Sequence, residues 1–307
     1  MRAKSERQVR VLILEGLFLP VTTPFLADGG RVDLEGFAAN LEWWGADTRA
    51  GFVVGGSTGE APLLEDVELC LLVERARETC GPDRKVLVGT GAESTRRTIS
   101  LCRQAAGLGA DGVLVRPPAY FRDAMTAPAL AAHYEAVAEA SPIPIVLYHV
   151  PKYVPVDLPP DLVAEIARHE NVAGIKDSSG DLARLGALVD ACEGRARVLV
   201  GSGRAWYSGL EVGAAGGILA VALVAPGAAW GVWEAWQAGD GSAAGGLQER
   251  LGPLDRAVVG RHGVPGVKYA LDRLGRVGGP PRPPLRPLSD PAREEVEDAL
   301  RRAGLLE

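Results

Sequence analysis

The chain has 307 residues, of which 47% are hydrophobic and 23% charged, which is an ordinary globular composition with enough apolar material for a sizeable core. The net charge is −6, and no long run of Lys or Arg appears. These features argue against a nucleic-acid-binding surface.

The N-terminal segment is the first element of the chain. Residues 1–10 are basic, and the apolar run at 11–20 contains a Glu and is too short to span a bilayer. No small-residue cleavage site follows this run. We therefore expect a cytoplasmic protein with a frayed N-terminus and no membrane contact.

Eight short apolar runs recur along the chain, each rich in Val, Ile or Leu and bounded by Gly, Pro or Ser. This pattern is typical of strands buried on both faces of a parallel sheet. The runs lie at residues 17–23, 51–56, 85–90, 112–117, 144–150, 171–177, 197–202 and 216–222. Stretches with helical periodicity separate them, and Asp33, Ser94 and Asp161 are placed to begin three of these helices.

Strands at a spacing of roughly 30 residues, each followed by a helix, predict a (β/α)8 TIM barrel, an α/β fold. A doubly wound open sheet is the alternative, but the number and even spacing of the runs disfavour it. Residues 1–225 would form the barrel. Residues 226–307 would form a C-terminal helical extension packed on it as one structural unit, with the Pro-rich stretch 278–288 as a connector between its last two helices.

Lys176 is the first candidate for chemistry, because reactive groups of such barrels gather at the carboxyl ends of the strands. It is one of only five lysines, and it closes the apolar run at 171–177. An apolar barrel mouth disfavours the ammonium form, and a neutral amine can attack a carbonyl carbon to form an iminium. The alternative is a structural ion pair, for example with Asp177, and position alone gives the two interpretations equal weight.

Two further strand ends carry side chains that could take part in catalysis or substrate binding. Tyr148 ends the preceding strand, where its phenol could relay protons, or could simply cap the barrel core. The glycine-rich stretch at 55–60 contains Ser57 and Thr58, whose hydroxyls and amides could hold a carboxylate.

No cofactor or metal is expected. The stretch at 55–60 lacks the lysine of a P-loop, and no G-x-G-x-x-G motif is present. The four histidines show neither H-x-x-x-H nor H-E-x-x-H spacing.

Three motifs stand in order on the second, fifth and sixth strands: Gly56–Glu60, Tyr148–Pro151 and Gly174–Ser179. Together they resemble the dihydrodipicolinate synthase / N-acetylneuraminate lyase family of pyruvate-dependent aldolases. The resemblance runs from Pro20–Phe25 to the C-terminal helices.

The resemblance implies a role for each matching residue. Lys176 matches the Schiff-base lysine, and Tyr148 matches the tyrosine that relays protons. Ser57 and Thr58 match the residues that hold the carboxylate of pyruvate. Ile218 falls where a backbone carbonyl lines the pyruvate pocket.

The resemblance also implies a homotetramer, a dimer of tight dimers. In this family a tyrosine crosses the tight interface into the neighbouring active site. Tyr120, in the loop after the fourth strand, is the nearest match for this third catalytic residue.

Within the family, several stretches are most similar to 4-hydroxy-2-oxoglutarate aldolase. They are 51–54, 93–95, 141–144, 156–159 and 263–266. The expected function is therefore a carbon–carbon lyase, a class I aldolase that cleaves a 4-hydroxy-2-oxo acid, first of all 4-hydroxy-2-oxoglutarate, to pyruvate and glyoxylate. The substrate partner is a small 2-oxo acid.

Alternatives remain open. One is 4-hydroxy-tetrahydrodipicolinate synthase, although the arginine that the synthase needs five residues after Tyr148 is Tyr153 here. The others are a sugar-acid aldolase or dehydratase and a catalytically silent oxo-acid-binding relative. Lys152 could bind a distal carboxylate or point to solvent, and Ser178 is a further candidate for substrate binding.

Overall fold

A computed structural model describes residues 12–27 and 30–307 of the chain. The expected frayed N-terminus and Lys4 lie outside these residues. Eight parallel strands pair in sequence order, and the last pairs with the first, so the predicted (β/α)8 barrel is confirmed. The strands are β1 Gly16–Pro20, β2 Gly51–Val54, β3 Val86–Gly89, β4 Gly112–Val115, β5 Ile145–His149, β6 Val172–Asp177, β7 Arg197–Val200 and β8 Gly216–Ile218.

The strands are apolar on both faces because one face fills the barrel interior and the other packs against helices. Every residue of β1, β2, β4 and β5 is buried. The run at 216–222 was predicted to be strand throughout, which is wrong beyond Ile218. Residues Ala220–Leu223 form a short 3-10 helix instead, since the last ladder bond on this side runs from the Leu219 amide to the Phe18 carbonyl.

In residues 12–27 and 30–307, seven helices lie between successive strands and form most of the outer layer. They are α1 Leu34–Asp47, α2 Asp66–Cys80, α3 Thr95–Gly107, α4 Ala127–Ala140, α5 Pro160–Ile166, α6 Leu182–Cys192 and α7 Trp206–Glu211. The predicted helix starts are confirmed. The Asp33 carboxylate accepts a hydrogen bond from the Gly36 amide (2.9 Å), and the Ser94 hydroxyl accepts one from the Arg97 amide (3.2 Å). Asp161 lies in the first turn of α5.

Four helices follow β8 in the described part of the chain: α8 Pro226–Gln237, α9 Gly241–Leu254, α10 Arg261–Arg273 and α11 Asp290–Arg302. Helix α8 contacts β1, α1 and α7 and completes the outer layer of the barrel, and α9, α10 and α11 form the C-terminal extension. A π-helical segment, Asp255–Gly260, joins α9 to α10. The apolar side chains of these C-terminal helices belong to the same hydrophobic core as those of the barrel. At Gly263 the backbone has φ of 60°, a value that favours glycine, and this kink brings residues 261–265 to the barrel mouth. Among the described residues, no helix is long and apolar enough to cross a membrane.

Candidate active site

Lys176 and Tyr148 lie side by side at the carboxyl ends of β6 and β5, where the strand register pairs them directly. The Lys176 Nζ lies 4.4 Å from the centroid of the Tyr148 ring. Both side chains are buried, with 5% and 6% exposure. The amine and the phenol predicted from the sequence are therefore adjacent at the carboxyl ends of neighbouring strands.

The alternative role of Lys176, an ion pair with Asp177, is not formed. Successive strand residues point to opposite faces, and Asp177 faces away from the barrel interior. Its Oδ2 lies 2.6 Å from Nδ1 of His149 and 2.9 Å from Nε of Arg184, and its Oδ1 accepts from the Ser179 hydroxyl. Within the described parts of the chain, no carboxylate lies within ion-pair distance of Lys176.

The environment of Asp177 keeps its carboxylate charged. Burial would raise the pKa of Asp177, but the hydrogen bonds from its three side-chain partners outweigh burial and lower the pKa to about 2. The carboxylate therefore holds β5 and β6 together directly behind Tyr148 and Lys176. No sequence pattern indicated this network beyond the adjacency of the residues to the two strand ends.

Ser57 lies beside the phenol of Tyr148. Its Oγ lies 3.3 Å from the Tyr148 hydroxyl, in the loop that follows β2. Together with Gly55, Gly56 and Arg116, these two residues line an inner cavity of about 110 Å³. One water molecule takes roughly 30 Å³ of liquid, so the cavity has room for a small organic molecule.

The loop carrying Ser57 is fixed by a buried ion pair that the sequence analysis missed. Glu60 has φ of 58° and is 1% exposed, and its Oε1 accepts a hydrogen bond from Lys268 Nζ at 2.7 Å. Its Oε2 accepts one from the Arg282 amide at 2.8 Å, and Lys268 also donates to the Thr23 carbonyl at 2.8 Å. The rarity of lysine in this chain was the one signal that could have drawn attention to Lys268.

The other predicted site residues lie around this centre. Thr58 is half-buried beside Ser57, and Ile218 is buried in β8 opposite Phe18 of β1. The Ser178 amide donates to the His149 carbonyl at 2.9 Å.

Tyr120 stands apart from the cavity within its own chain. Its side chain is 82% exposed and packs edge-on against Phe121, with ring centroids 5.1 Å apart. The structure thus brings together Lys176, Tyr148 and Ser57 but leaves Tyr120 on the surface.

An outer cleft of about 610 Å³ continues from the inner cavity, and the two share Ser57, Pro62 and Arg116 in their walls. Lys152 and Tyr153 form one side of the cleft, and residues 261–265 form another. The Lys152 ammonium donates to the Gly260 carbonyl at 3.0 Å. The arrangement offers a small inner cavity beside Tyr148 and a larger cleft outside it.

In residues 12–27 and 30–307, no group of three or more His, Cys, Asp or Glu side chains could hold a metal ion.

Comparison with known proteins places this site in a family. The model of the dihydrodipicolinate synthetase family matches residues 13–303. A 4-hydroxy-tetrahydrodipicolinate synthase of Methanoculleus marisnigri is 36% identical over 291 residues, which cover 94% of this chain and 99% of that protein. One from Rhizobium meliloti is 36% identical over 297 residues, which cover 96% of this chain and 100% of that protein.

Solved structures agree in fold. The dihydrodipicolinate synthase of Acinetobacter baumannii complexed with pyruvate superposes with a TM-score of 0.91 at 33% identity, covering 96% of this chain and 100% of that one. YagE of E. coli K12, a prophage protein of the same family in complex with pyruvate, gives a TM-score of 0.91 at 29% identity, with coverage of 96% and 100%. The resemblance read from the three motifs is confirmed: the chain belongs to the dihydrodipicolinate synthetase family and is an enzyme of the carbon–carbon lyase class.

Proposed function

We propose that this chain is a class I aldolase in which Lys176 forms a Schiff base with pyruvate. The observation that carries the proposal is the buried Lys176 amine, which lies over the Tyr148 ring without an ion-pair partner among the described residues. A lysine amine held beside a proton-relaying hydroxyl is the kind of nucleophile that adds to a ketone carbon.

The reaction follows from these groups. The Lys176 amine adds to the ketone carbon of pyruvate, and loss of water from the carbinolamine leaves an iminium. The iminium accepts the electron pair left when a methyl proton departs, which gives an enamine. The enamine carbon then bonds to the carbonyl carbon of an aldehyde, and hydrolysis releases the product and the free amine. Cleavage is the same sequence reversed.

Tyr148 is the group placed to move protons in these steps. Its hydroxyl lies 3.3 Å from the Ser57 Oγ, so the two hydroxyls form a short relay at the mouth of the inner cavity. Ser57 and Thr58 also have hydroxyls and backbone amides for the pyruvate carboxylate, in a loop held by the Glu60–Lys268 pair. The backbone of Ile218 would complete the pyruvate pocket.

The second substrate is an aldehyde that carries a carboxylate, and two such aldehydes have support. The names of the relatives favour 4-hydroxy-tetrahydrodipicolinate synthase, which uses aspartate semialdehyde, over the 4-hydroxy-2-oxoglutarate aldolase that the sequence analysis puts first. Tyr153 favours the aldolase and its glyoxylate, because no arginine stands at this position. Membership of an enzyme family argues against the catalytically silent alternative, and no observation favours a sugar-acid substrate.

A direct comparison of rates tests the proposal. Condensation of pyruvate with aspartate semialdehyde, condensation with glyoxylate, and coupled detection of pyruvate released from 4-hydroxy-2-oxoglutarate are measured on one preparation. A larger kcat/KM with aspartate semialdehyde would identify a synthase, and a larger one with the glyoxylate pair an aldolase. Absence of both activities, together with absence of a pyruvate adduct on the protein, would reject the proposal. The homotetramer and the cytoplasmic location remain predictions.

A further inference from the structure

Arg116 occupies a position in the barrel mouth that the mechanism above does not use. It follows Val115 of β4, which the register pairs with Leu147, so Arg116 stands opposite Tyr148 just as Tyr148 stands opposite Lys176. The segment that follows β3 leaves room for it, because a Cβ at Gly91 would lie only 2.5 Å from the Arg116 Cγ. A long cationic side chain is thus built into the same layer as the proposed nucleophile.

The guanidinium of Arg116 is held along one side only. Its Nη1 lies 2.8 Å from Oε1 of Glu93 and donates to the Pro117 carbonyl at 2.9 Å. The other Glu93 oxygen accepts hydrogen bonds from the amides of Ala119 and Tyr120, each at 2.8 Å, so the anchor is itself fixed. Over the described residues, Nε and Nη2 have no hydrogen-bond partner. A fixed guanidinium with an open pair of donors is the arrangement that binds a carboxylate through two parallel hydrogen bonds.

Arg116 also lies where the two spaces of the site meet. It lines the inner cavity with Ser57 and Tyr148, and it lines the outer cleft with Lys152 and Tyr153. Lys152 borders only the outer cleft, and its ammonium already donates to a backbone carbonyl. The first cation that a molecule extending outward from Tyr148 would meet is therefore Arg116.

We infer that Arg116 binds the carboxylate of the aldehyde substrate and selects carboxylate-bearing aldehydes over neutral ones. This inference rests on the proposed function and refines it. It assigns to Arg116 the role that the sequence analysis considered for Lys152, and it supplies from β4 the cation that Tyr153 does not provide. Both glyoxylate and aspartate semialdehyde have the carboxylate that this role requires.

The test compares paired aldehydes on single variants. The kcat/KM is measured with the carboxylate-bearing aldehyde that the wild type uses best and with a neutral aldehyde of the same chain length. Arg116→Met is expected to lower kcat/KM for the carboxylate-bearing aldehyde by about 10- to 150-fold, the range for a lost charge-assisted hydrogen bond, and to leave the neutral aldehyde unaffected. Arg116→Lys keeps the charge without the paired donors and should retain an intermediate rate.

A matched control and a second readout separate the possible failures. Arg122→Met removes an exposed arginine from the same loop and should leave kcat/KM unchanged for both aldehydes. The pyruvate adduct at Lys176, trapped with borohydride, should form in every variant. A wild type without this adduct would overturn the proposed function and this inference with it. An intact adduct with equal losses for both aldehydes in Arg116→Met, or a selective loss in Lys152→Met instead, would overturn the inference alone.

Discussion

The ammonium of Lys268 lies 2.7 Å from the carboxylate of Glu60, although 208 positions separate the two residues along the chain. Both side chains are almost completely buried. The contact connects α10 of the C-terminal extension to the loop that carries Ser57. The geometry of the loop that carries Ser57 therefore depends on a helix outside the barrel.

Glu60→Gln should destabilise the protein by roughly 3–5 kcal/mol, because it leaves the Lys268 ammonium buried without its counter-charge. Urea denaturation measures the effect. The double variant Glu60→Gln/Lys268→Met removes both charges and should recover part of the loss. Glu35→Gln, which breaks an exposed pair with Arg75, is the control and should cost less than about 1 kcal/mol. A similarly small loss in Glu60→Gln would show that the buried pair does not hold the loop.

Lys176 should be the only lysine that pyruvate modifies. Incubation with pyruvate and borohydride, followed by peptide mass spectrometry, should place the adduct on the peptide that contains Lys176. Lys152 is exposed and Lys268 is held by Glu60, and neither should be labelled. The Lys176→Ala variant is the control and should give no adduct. A label on Lys152 or Lys268 would refute the assignment of the nucleophile.

Tyr148→Phe should keep the fold and pyruvate binding while losing turnover. The ring beside Lys176 remains, and only the hydroxyl that contacts Ser57 is removed. Proton transfer by a positioned side chain contributes about 10²–10⁴-fold, so kcat should fall by a factor in this range. Steady-state kinetics measure kcat, and a pyruvate-induced shift in Tm measures pyruvate binding. Retention of more than about a tenth of the wild-type kcat would mean that the phenol is structural.

Tyr120 should act in the active site of a neighbouring subunit. Its exposed ring, packed on Phe121, presents an aromatic surface that a second copy of the chain would cover. Mixing Lys176→Ala subunits with Tyr120→Phe subunits should restore activity, because one site in each hybrid then has both residues. The control mixes Lys176→Ala with Tyr148→Phe, whose defects lie in the same site, and should stay inactive. A protein that is monomeric at assay concentration would contradict this prediction.

Asp255→Asn should stabilise the protein at neutral pH. Burial raises the pKa of Asp255 to about 6, so the folded protein keeps this proton to a higher pH than the unfolded chain does. Stability is therefore lost as pH rises from about 4 to about 6, and the full penalty is present above this range. The variant should remove this pH dependence and raise the free energy of unfolding by up to about 3 kcal/mol at pH 7.5. Thermal unfolding between pH 4 and 8 measures the pH dependence and the gain in stability. An Asn variant less stable than the wild type at pH 7.5 would contradict the prediction.

The barrel and the centre of the site were predictable because their signals are local. Each strand is a short apolar run, and Asp33 and Ser94 mark helix starts by their own hydrogen-bonding groups. The convergence of Lys176 and Tyr148 follows from the fold itself, since the carboxyl ends of parallel strands meet at one face.

The contacts that were missed join distant parts of the chain. Periodicity reports which face of a helix is apolar, but it does not say what that face meets. The sequence pattern therefore does not identify Glu60 as the partner of Lys268. In the same way, the apolar run at 112–117 includes Arg116, yet its anchoring by Glu93 appears only when the segments that follow β3 and β4 are brought together.

The division of the site between an inner cavity and an outer cleft has a consequence for how such an enzyme diverges. The inner cavity is lined by residues of the barrel part of the chain, from Gly55 to Tyr148. The outer cleft is also lined by residues 261–265, Pro284 and Leu285 of the C-terminal extension. Substitutions in those residues of the extension can reshape the space for the aldehyde without touching the amine or the phenol. Laboratory evolution confined to these residues would therefore select for new aldehyde substrates while leaving Lys176 and Tyr148 unchanged.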